Sequence, residues 1–332
     1  MNMTPKENML AVLNHQSPEW VPNYLTDVVN GGFGFGPGPA FEKGPVTGGR
    51  DGFGVNWVTP SSGGGAPIPE PDSFLLNSET IVDWKKIVKF PDIMECDWEA
   101  QAKMELGRGN PETQLIDFGS GNGPFERLAA LMGFEEALVS MAVEPEATGD
   151  LLNAIGEYKI QVIEMAAKYY QPDVFTNYDD IATERSLFMA PDTYRRLIKP
   201  VHKKIYEAVR AFDMIPIQHT CGKADILIED FIETGAAGWT SVQPTNDIES
   251  ILKKHGDSFC ILGGYATNGP AGRPDADPSV IEAEVQRDFD TYGKYPGYIW
   301  FGFLLIDTLD PDEKAQKMMP LIKASMKYGK HF

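Results

Sequence analysis

The 332-residue sequence predicts an α/β protein built as a single (β/α)8 TIM barrel, with an N-terminal helix and a long Gly/Pro-rich loop. After Thr113, short β-rich runs alternate with amphipathic helical stretches, the pattern of parallel strands joined by crossover helices. Six such units are recognisable, and strands hidden in the N-terminal third would bring the number to eight. The length suits a closed barrel, and an open doubly wound sheet remains the alternative.

The chain begins with a helix signal. Thr4, Pro5 and Glu7 occupy the positions of an N-cap, a first-turn proline and the acidic partner of a capping box. We expect this helix to run to about Asn14. It precedes the barrel within one domain that spans residues 1–332.

The segment 31–72 has a different composition, because 20 of its 42 residues are glycine or proline. Such a segment is typical of a long loop. Its aromatic residues, Phe33, Phe35, Phe53 and Trp57, indicate that it packs against the rest of the protein. A lid over a binding site and a flexible excursion are both compatible with this pattern.

The regular part of the chain contains the barrel elements. The predicted strands are 115–118, 174–178, 215–219, 239–242, 259–262 and 298–301. The predicted helices are 125–132, 146–169, 192–212, 224–234, 247–255, 278–292 and 312–328.

The composition excludes several classes of function. With 48 acidic and 29 basic residues, the formal charge is −19, which excludes nucleic-acid binding driven by phosphate neutralisation. No apolar run approaches the roughly 18 residues that cross a bilayer, so no membrane association is expected. The first residues lack the features of a secretory signal, which favours a cytoplasmic location with reduced cysteines. No glycine-rich dinucleotide fingerprint opens a helix.

His219 and Cys221 are the sharpest chemical signal. They stand at the end of a predicted strand, where residues i and i+2 project to the same face. An imidazole and a thiolate on one face can provide two ligands of a tetrahedral zinc ion. The competing interpretation is that both side chains are merely packed in the barrel wall.

The third zinc ligand is open at this level. Glu184, Asp180 and Asp179 follow the neighbouring strand, and a carboxylate oxygen can complete a zinc site. Of these, Glu184 is the ligand we select, with the other two as alternatives. Cys260 has suitable chemistry, but it begins its strand, so we expect a core thiol near the opposite end of the barrel.

Three stretches together resemble the uroporphyrinogen decarboxylase superfamily. They are the opening MTPKENMLAVLNHQSPEWVPNY, the His219-Thr-Cys-Gly222 strand end, and LGGYATNGPA at 262–271. The branch it resembles most is that of the zinc methyltransferases that work with corrinoid proteins, and the resemblance implies a (β/α)8 barrel.

Two departures from the superfamily's pattern restrict the expected substrate and the expected metal ligands. No arginine precedes Arg50, so a porphyrinogen is not the expected substrate. The segment Phe301-Gly-Phe303 stands where the coenzyme M methyltransferases have a further cysteine ligand.

The resemblance implies a zinc-dependent enzyme that moves a methyl group from a small methoxylated or methylated compound to a corrinoid (cobalamin) carried by a partner protein. Asp179 or Asp180 would supply a proton or orient the substrate. The polar groups of the substrate would be held by Gln243, Asn246 and Asn268. The alternatives are a lyase acting on a carboxylated substrate and a binding protein that kept the barrel without chemistry.

Overall fold

The computed structural model describes residues 3–32, 42, 47–59, 67–306, 308 and 310–329. The strands of this part are β1 Val28–Gly31, β2 Gly49–Arg50, β3 Asn56–Val58, β4 Ile68–Pro69, β5 Leu115–Ser120, β6 Val174–Tyr178, β7 Ile215–His219, β8 Gly238–Val242, β9 Cys260–Gly264 and β10 Tyr298–Phe301. They form two sheets. One contains seven strands in the order β1-β5-β6-β7-β8-β9-β10, and the other has the order β2-β3-β4.

The seven-stranded sheet is parallel throughout and curls into a barrel. Its two edge strands are connected by the segment that precedes β1. Tyr24 N donates to Trp300 O and Trp300 N donates to Pro22 O, each at 2.9 Å. The TIM-barrel fold class is confirmed. Among the described residues the sheet has seven strands where the sequence predicted eight. In place of an eighth strand, Asn23 forms an isolated parallel bridge with Trp300.

The helices surround the sheet. In the described part they are α1 Pro5–Leu13, α2 Trp84–Ile87, α3 Trp98–Leu106, α4 Pro124–Met132, α5 Phe134–Val143, α6 Pro145–Tyr169, α7 Pro191–Thr193, α8 Lys199–Ala211, α9 Ile228–Thr234, α10 Ile248–His255, α11 Pro278–Tyr292 and α12 Pro311–Tyr328. The capping box of α1 is confirmed, because Thr4 Oγ1 accepts from Glu7 N and Glu7 Oε2 accepts from Thr4 N.

The single helix predicted over 192–212 is divided. A π-helical segment, Tyr194–Ile198, separates α7 from α8. Pro200 lies in the first turn of α8 and has no backbone N–H, so it cannot continue the regular hydrogen-bond ladder of a preceding helix.

One end of the barrel is filled by α1. Met9, Val12 and Leu13 are buried with the inward-facing apolar residues of the strands. The sulfur of Cys260 lies 3.4 Å from Val12 O in this layer, as expected for a core thiol at the N-terminal end of the sheet. Because α1 closes this end, the polar residues at the carboxyl ends of the strands are left facing the opposite opening.

The Gly/Pro-rich segment lies partly outside the described residues. Its described portion is not a simple loop, because β2, β3 and β4 form a small antiparallel sheet. Phe53 and Trp57 are buried, which confirms that these aromatic residues pack against the protein. Phe33 and Phe35 lie outside the described residues.

Two buried ion pairs attach this segment to the barrel. Asp51 pairs with Arg127 of α4 at 2.7 Å, and Glu42 pairs with Lys159 of α6 at 2.9 Å. All four side chains are at most 3% exposed.

None of the helices in the described part of the chain is both long enough and apolar enough to cross a bilayer.

Candidate metal centre

Three potential metal ligands meet at the carboxyl ends of β6 and β7. The ligand atoms of Asp180, His219 and Cys221 all lie within 4.8 Å of one another. His219 Nε2 is 3.7 Å from Cys221 Sγ and 3.9 Å from Asp180 Oδ1. The Asp180 side chain is 36% exposed, so the group is reached from the open end of the barrel.

The local chain path explains why these side chains converge. His219 ends β7 and Cys221 follows two residues later, so both face the same side, while Thr220 between them is buried. Trp239 Nε1 donates to Thr220 O at 2.8 Å, and Thr220 Oγ1 accepts from Ile181 N at 3.0 Å. These bonds connect the β7 end to β8 and to the chain that leaves β6.

A second set of contacts joins Cys221 to the loop after β6. Cys221 N donates to Asp180 Oδ1 at 2.6 Å. Gly222 has a φ of +86°, and a Cβ there would lie 2.4 Å from Thr183 O. Glycine is therefore required for the two loops to approach each other.

Burial shifts the pKa values of His219 and Cys221 in opposite directions. It lowers the pKa of His219, against the opposing influence of the Asp180 carboxylate. Burial also raises the pKa of the Cys221 thiol, and the charge of Asp180 adds to this rise, whereas the Ser241 hydroxyl opposes it. Neutral imidazole is the metal-binding form of histidine. A buried thiol becomes a thiolate when a cation stabilises it.

The donor set fits zinc. With bonds of about 2.0–2.3 Å, ligand atoms of a tetrahedral zinc site lie about 3.3–3.7 Å apart, close to the distances measured from His219 Nε2. Nitrogen, sulfur and carboxylate oxygen are all common zinc ligands. Three protein ligands are also the number found in catalytic zinc sites.

The carboxylate of this group is Asp180 rather than Glu184, the ligand selected from the sequence. Ala182 and Leu187 pair in an antiparallel bridge, and Thr183 N donates to Ser186 O at 2.7 Å. Glu184 therefore sits in an exposed turn outside the group. Neither the turn nor its direction is evident from residue spacing.

Asp179 has a different environment from its neighbour. Its carboxylate is fully buried and accepts from Glu126 N at 2.9 Å, from Phe125 N at 3.3 Å and from His202 Nε2 at 2.7 Å. A carboxylate at the N-terminus of α4 is favoured by the helix dipole. These contacts occupy the Asp179 carboxylate with donors from the protein, and its role in proton supply or substrate orientation stays a prediction.

Two residues predicted to bind substrate, Gln243 and Asn246, form hydrogen bonds with the loop after β7. Gln243 Oε1 accepts from Gly222 N at 3.0 Å. Asn246 is buried, accepts from Ala224 N and Asp225 N, and donates to the carbonyls of Gly222 and Gln243. Asn268 follows β9 with an exposed side chain.

Two further residues contact the metal-ligand group. The ring of Tyr178, the last residue of β6, lies 4.1 Å from that of His219 at an angle of 31°. Ser241 Oγ lies 3.4 Å from Cys221 Sγ. Alternation along β6 could have identified Tyr178 as inward-facing, whereas no sequence signal places Ser241 at the site.

A buried carboxylate lies within the barrel. Asp117 of β5 accepts hydrogen bonds from Tyr24 Oη and, at 2.7 Å, from Thr176 Oγ1. Burial raises the pKa of Asp117 to about 6, although both hydroxyl donors oppose this change.

Comparison with known proteins gives a family match and solved structures with a similar fold. The family model described as uroporphyrinogen decarboxylase (URO-D) matches residues 88–302. A solved structure of a methyltransferase from Methanosarcina mazei superposes with a TM-score of 0.65 at 15% sequence identity, covering 98% of this chain and 99% of that one. An L-ribulose 3-epimerase structure gives a TM-score of 0.38 at 13% identity, over 69% of this chain and 91% of that one. No curated protein matches the chain.

Proposed function

Because the chain belongs to the uroporphyrinogen decarboxylase family, we propose that its strand-end ligand group makes it a zinc-dependent methyltransferase. The observation that carries this proposal is the convergence of Asp180, His219 and Cys221 at the open end of the barrel. The proposed methyl donor is a small methoxylated or methylated compound. The proposed acceptor is a corrinoid (cobalamin) bound to a partner protein.

Within this proposal, Asp180, His219 and Cys221 hold the metal. Zinc bound there would supply a Lewis acid for the heteroatom that carries the methyl group. The methyl group would pass to the cobalt(I) of the corrinoid, which supplies the electron pair of the new bond. The heteroatom would keep the electron pair of the broken bond and take up a proton. The likeness to the Methanosarcina mazei methyltransferase supports this assignment through the shared fold.

Other residues keep these ligands in place. Tyr178 packs against the His219 ring and limits its rotation. Asp179 fixes the start of α4 beside the chain that carries Asp180. We assign the exposed Asn268 to the binding of polar groups of the substrate, and we assign Gln243 and Asn246 to support of the metal-binding loop.

Metal content of the purified protein tests the first part of the proposal. We expect about one zinc per chain in the wild type, and loss of zinc in His219→Ala and Cys221→Ala. Asp180→Asn and Glu184→Gln form a matched pair, since each replaces one carboxylate by its amide. We expect weakened zinc binding in the first and wild-type zinc binding in the second.

Methyl transfer tests the second part. The zinc-loaded protein, mixed with cob(I)alamin and a panel of methoxylated and methylated compounds, should convert the cobalt(I) spectrum to that of methylcobalamin. The proposal is overturned if the wild type, prepared without chelators, cannot take up added zinc. It is also overturned if the metal-free protein releases carbon dioxide from a carboxylated compound at the same rate as the zinc-loaded one.

A further inference from the structure

Ser241 combines two irregular backbone features next to the Cys221 sulfur. Its φ is +65°, in the left-handed region that favours glycine. It also lies where the pairing of β8 with β9 shifts register, between Thr240 and Val242. Ser241 is 4% exposed, so neither feature belongs to a loose surface turn.

The register shift explains which way Ser241 faces. In a regular strand Ser241 would share the face of Trp239, which packs on Phe231 of α9 outside the barrel. Ser241 instead places its hydroxyl 3.4 Å from Cys221 Sγ. Bulges are a recognised means of redirecting a side chain next to a functional site.

Backbone strain alone would favour a different residue. Glycine adopts positive φ without steric cost, whereas other residues are strained in this region. What serine provides and glycine lacks is the hydroxyl group. Among the described residues, Cys221 Sγ lies within hydrogen-bonding distance of His219 Nε2, which belongs to the ligand group, and of Ser241 Oγ, which does not.

We infer that Ser241 is a positioning residue that donates its hydroxyl proton to the Cys221 sulfur when this sulfur binds the metal as a thiolate. This inference rests on the proposed zinc site. The donated hydrogen bond holds the sulfur in its ligating orientation and withdraws part of its negative charge. Groups that contact a metal ligand in this way commonly change metal affinity by about 10- to 100-fold.

Cobalt(II) replaces zinc in the test because its charge-transfer absorption reports directly on the bound thiolate. The full-length wild type, Ser241→Ala and Ser241→Gly are titrated with cobalt(II), and zinc affinity is measured by chelator competition. Thr240→Val is the matched control, because Thr240 precedes Ser241 in β8 and its buried hydroxyl has no hydrogen-bond partner among the described residues.

We expect both Ser241 variants to move the thiolate-to-cobalt band to lower energy and to weaken zinc binding at least tenfold, whereas Thr240→Val leaves both unchanged. The glycine variant keeps the test valid if alanine impairs folding, because it is compatible with the positive φ. Metal binding by the wild type with unchanged band and affinity in Ser241→Gly overturns the inference and leaves the zinc site intact. Failure of the wild type to bind cobalt(II) or zinc overturns both.

Discussion

Replacing Asp51 by asparagine tests whether the Gly/Pro-rich segment is held to the barrel by its buried charges. The Asp51 carboxylate accepts four hydrogen bonds. Oδ1 accepts from Phe53 N and Val55 N, each at 2.9 Å, while Oδ2 accepts from Trp57 Nε1 at 2.9 Å and from Arg127 Nη1 at 2.7 Å. The Arg127 side chain is 1% exposed and lies 4.0 Å above the Phe53 ring.

The expected loss follows from these contacts. Asparagine can keep the two bonds to its oxygen, but its amide nitrogen cannot accept from Trp57 or Arg127. Each hydrogen bond to a charged group contributes about 1.5–3 kcal/mol, so two lost bonds correspond to about 3–6 kcal/mol. Removal of one partner from a buried ion pair costs about 3–5 kcal/mol, in agreement with this sum. We therefore expect Asp51→Asn to lower the free energy of unfolding by about 3–5 kcal/mol.

Urea unfolding followed by tryptophan fluorescence measures this change, with Asp83→Asn as the control. Asp83 pairs with Lys86 at 2.6 Å, but their side chains are 55% and 79% exposed, so its replacement should cost less than about 1 kcal/mol. An Arg127→Met variant and the double variant complete a cycle, in which removing both charges should cost less than the sum of the single changes. A loss below about 1 kcal/mol in Asp51→Asn would refute the argument from burial.

Two other predictions concern the barrel interior and the ligand loop. Burial raises the pKa of Asp117 from 3.8 to about 6. Between about pH 4 and pH 6 the folded state therefore binds more protons than the unfolded state. The stability of the wild type decreases as the pH rises through this range. The unfolding free energy of Asp117→Asn relative to wild type should therefore rise by up to about 3 kcal/mol between pH 4 and pH 7, and a pH-independent difference measured by urea unfolding would contradict this. Gly222→Ala places a Cβ 2.4 Å from Thr183 O at positive φ, and should lower the midpoint of thermal unfolding and reduce zinc uptake. Gly149→Ala is its control, because its Cβ meets Leu197 Cδ2 at an ordinary 3.5 Å within α6, and should be neutral or stabilising; equal losses in the two variants would show that the close contact at Gly222 has no special effect.

Local patterns were sufficient to predict the regular barrel elements. The strands Val174–Tyr178, Ile215–His219 and Tyr298–Phe301 have the predicted limits, because parallel strands are buried on both faces and appear as short apolar runs. The same patterns failed for α5, which was not predicted, and for the small sheet in the Gly/Pro-rich segment. The strands of that sheet contain two or three residues, too few to show periodicity.

At the candidate site, residue spacing predicted contacts within one strand end but not contacts between different loops. The sequence by itself predicted that His219 and Cys221 lie together, because a separation of two residues at a strand end determines that both side chains face the same way. Only the tertiary structure decided that Asp180 completes the group and that Glu184 does not, since the choice depends on how the chain turns after β6 and packs against Gly222. Tertiary packing also placed Ser241 beside the Cys221 sulfur, because a bulge reverses the facing that strand alternation predicts. Contacts between different loops depend on the paths of both, and spacing within either loop does not determine them.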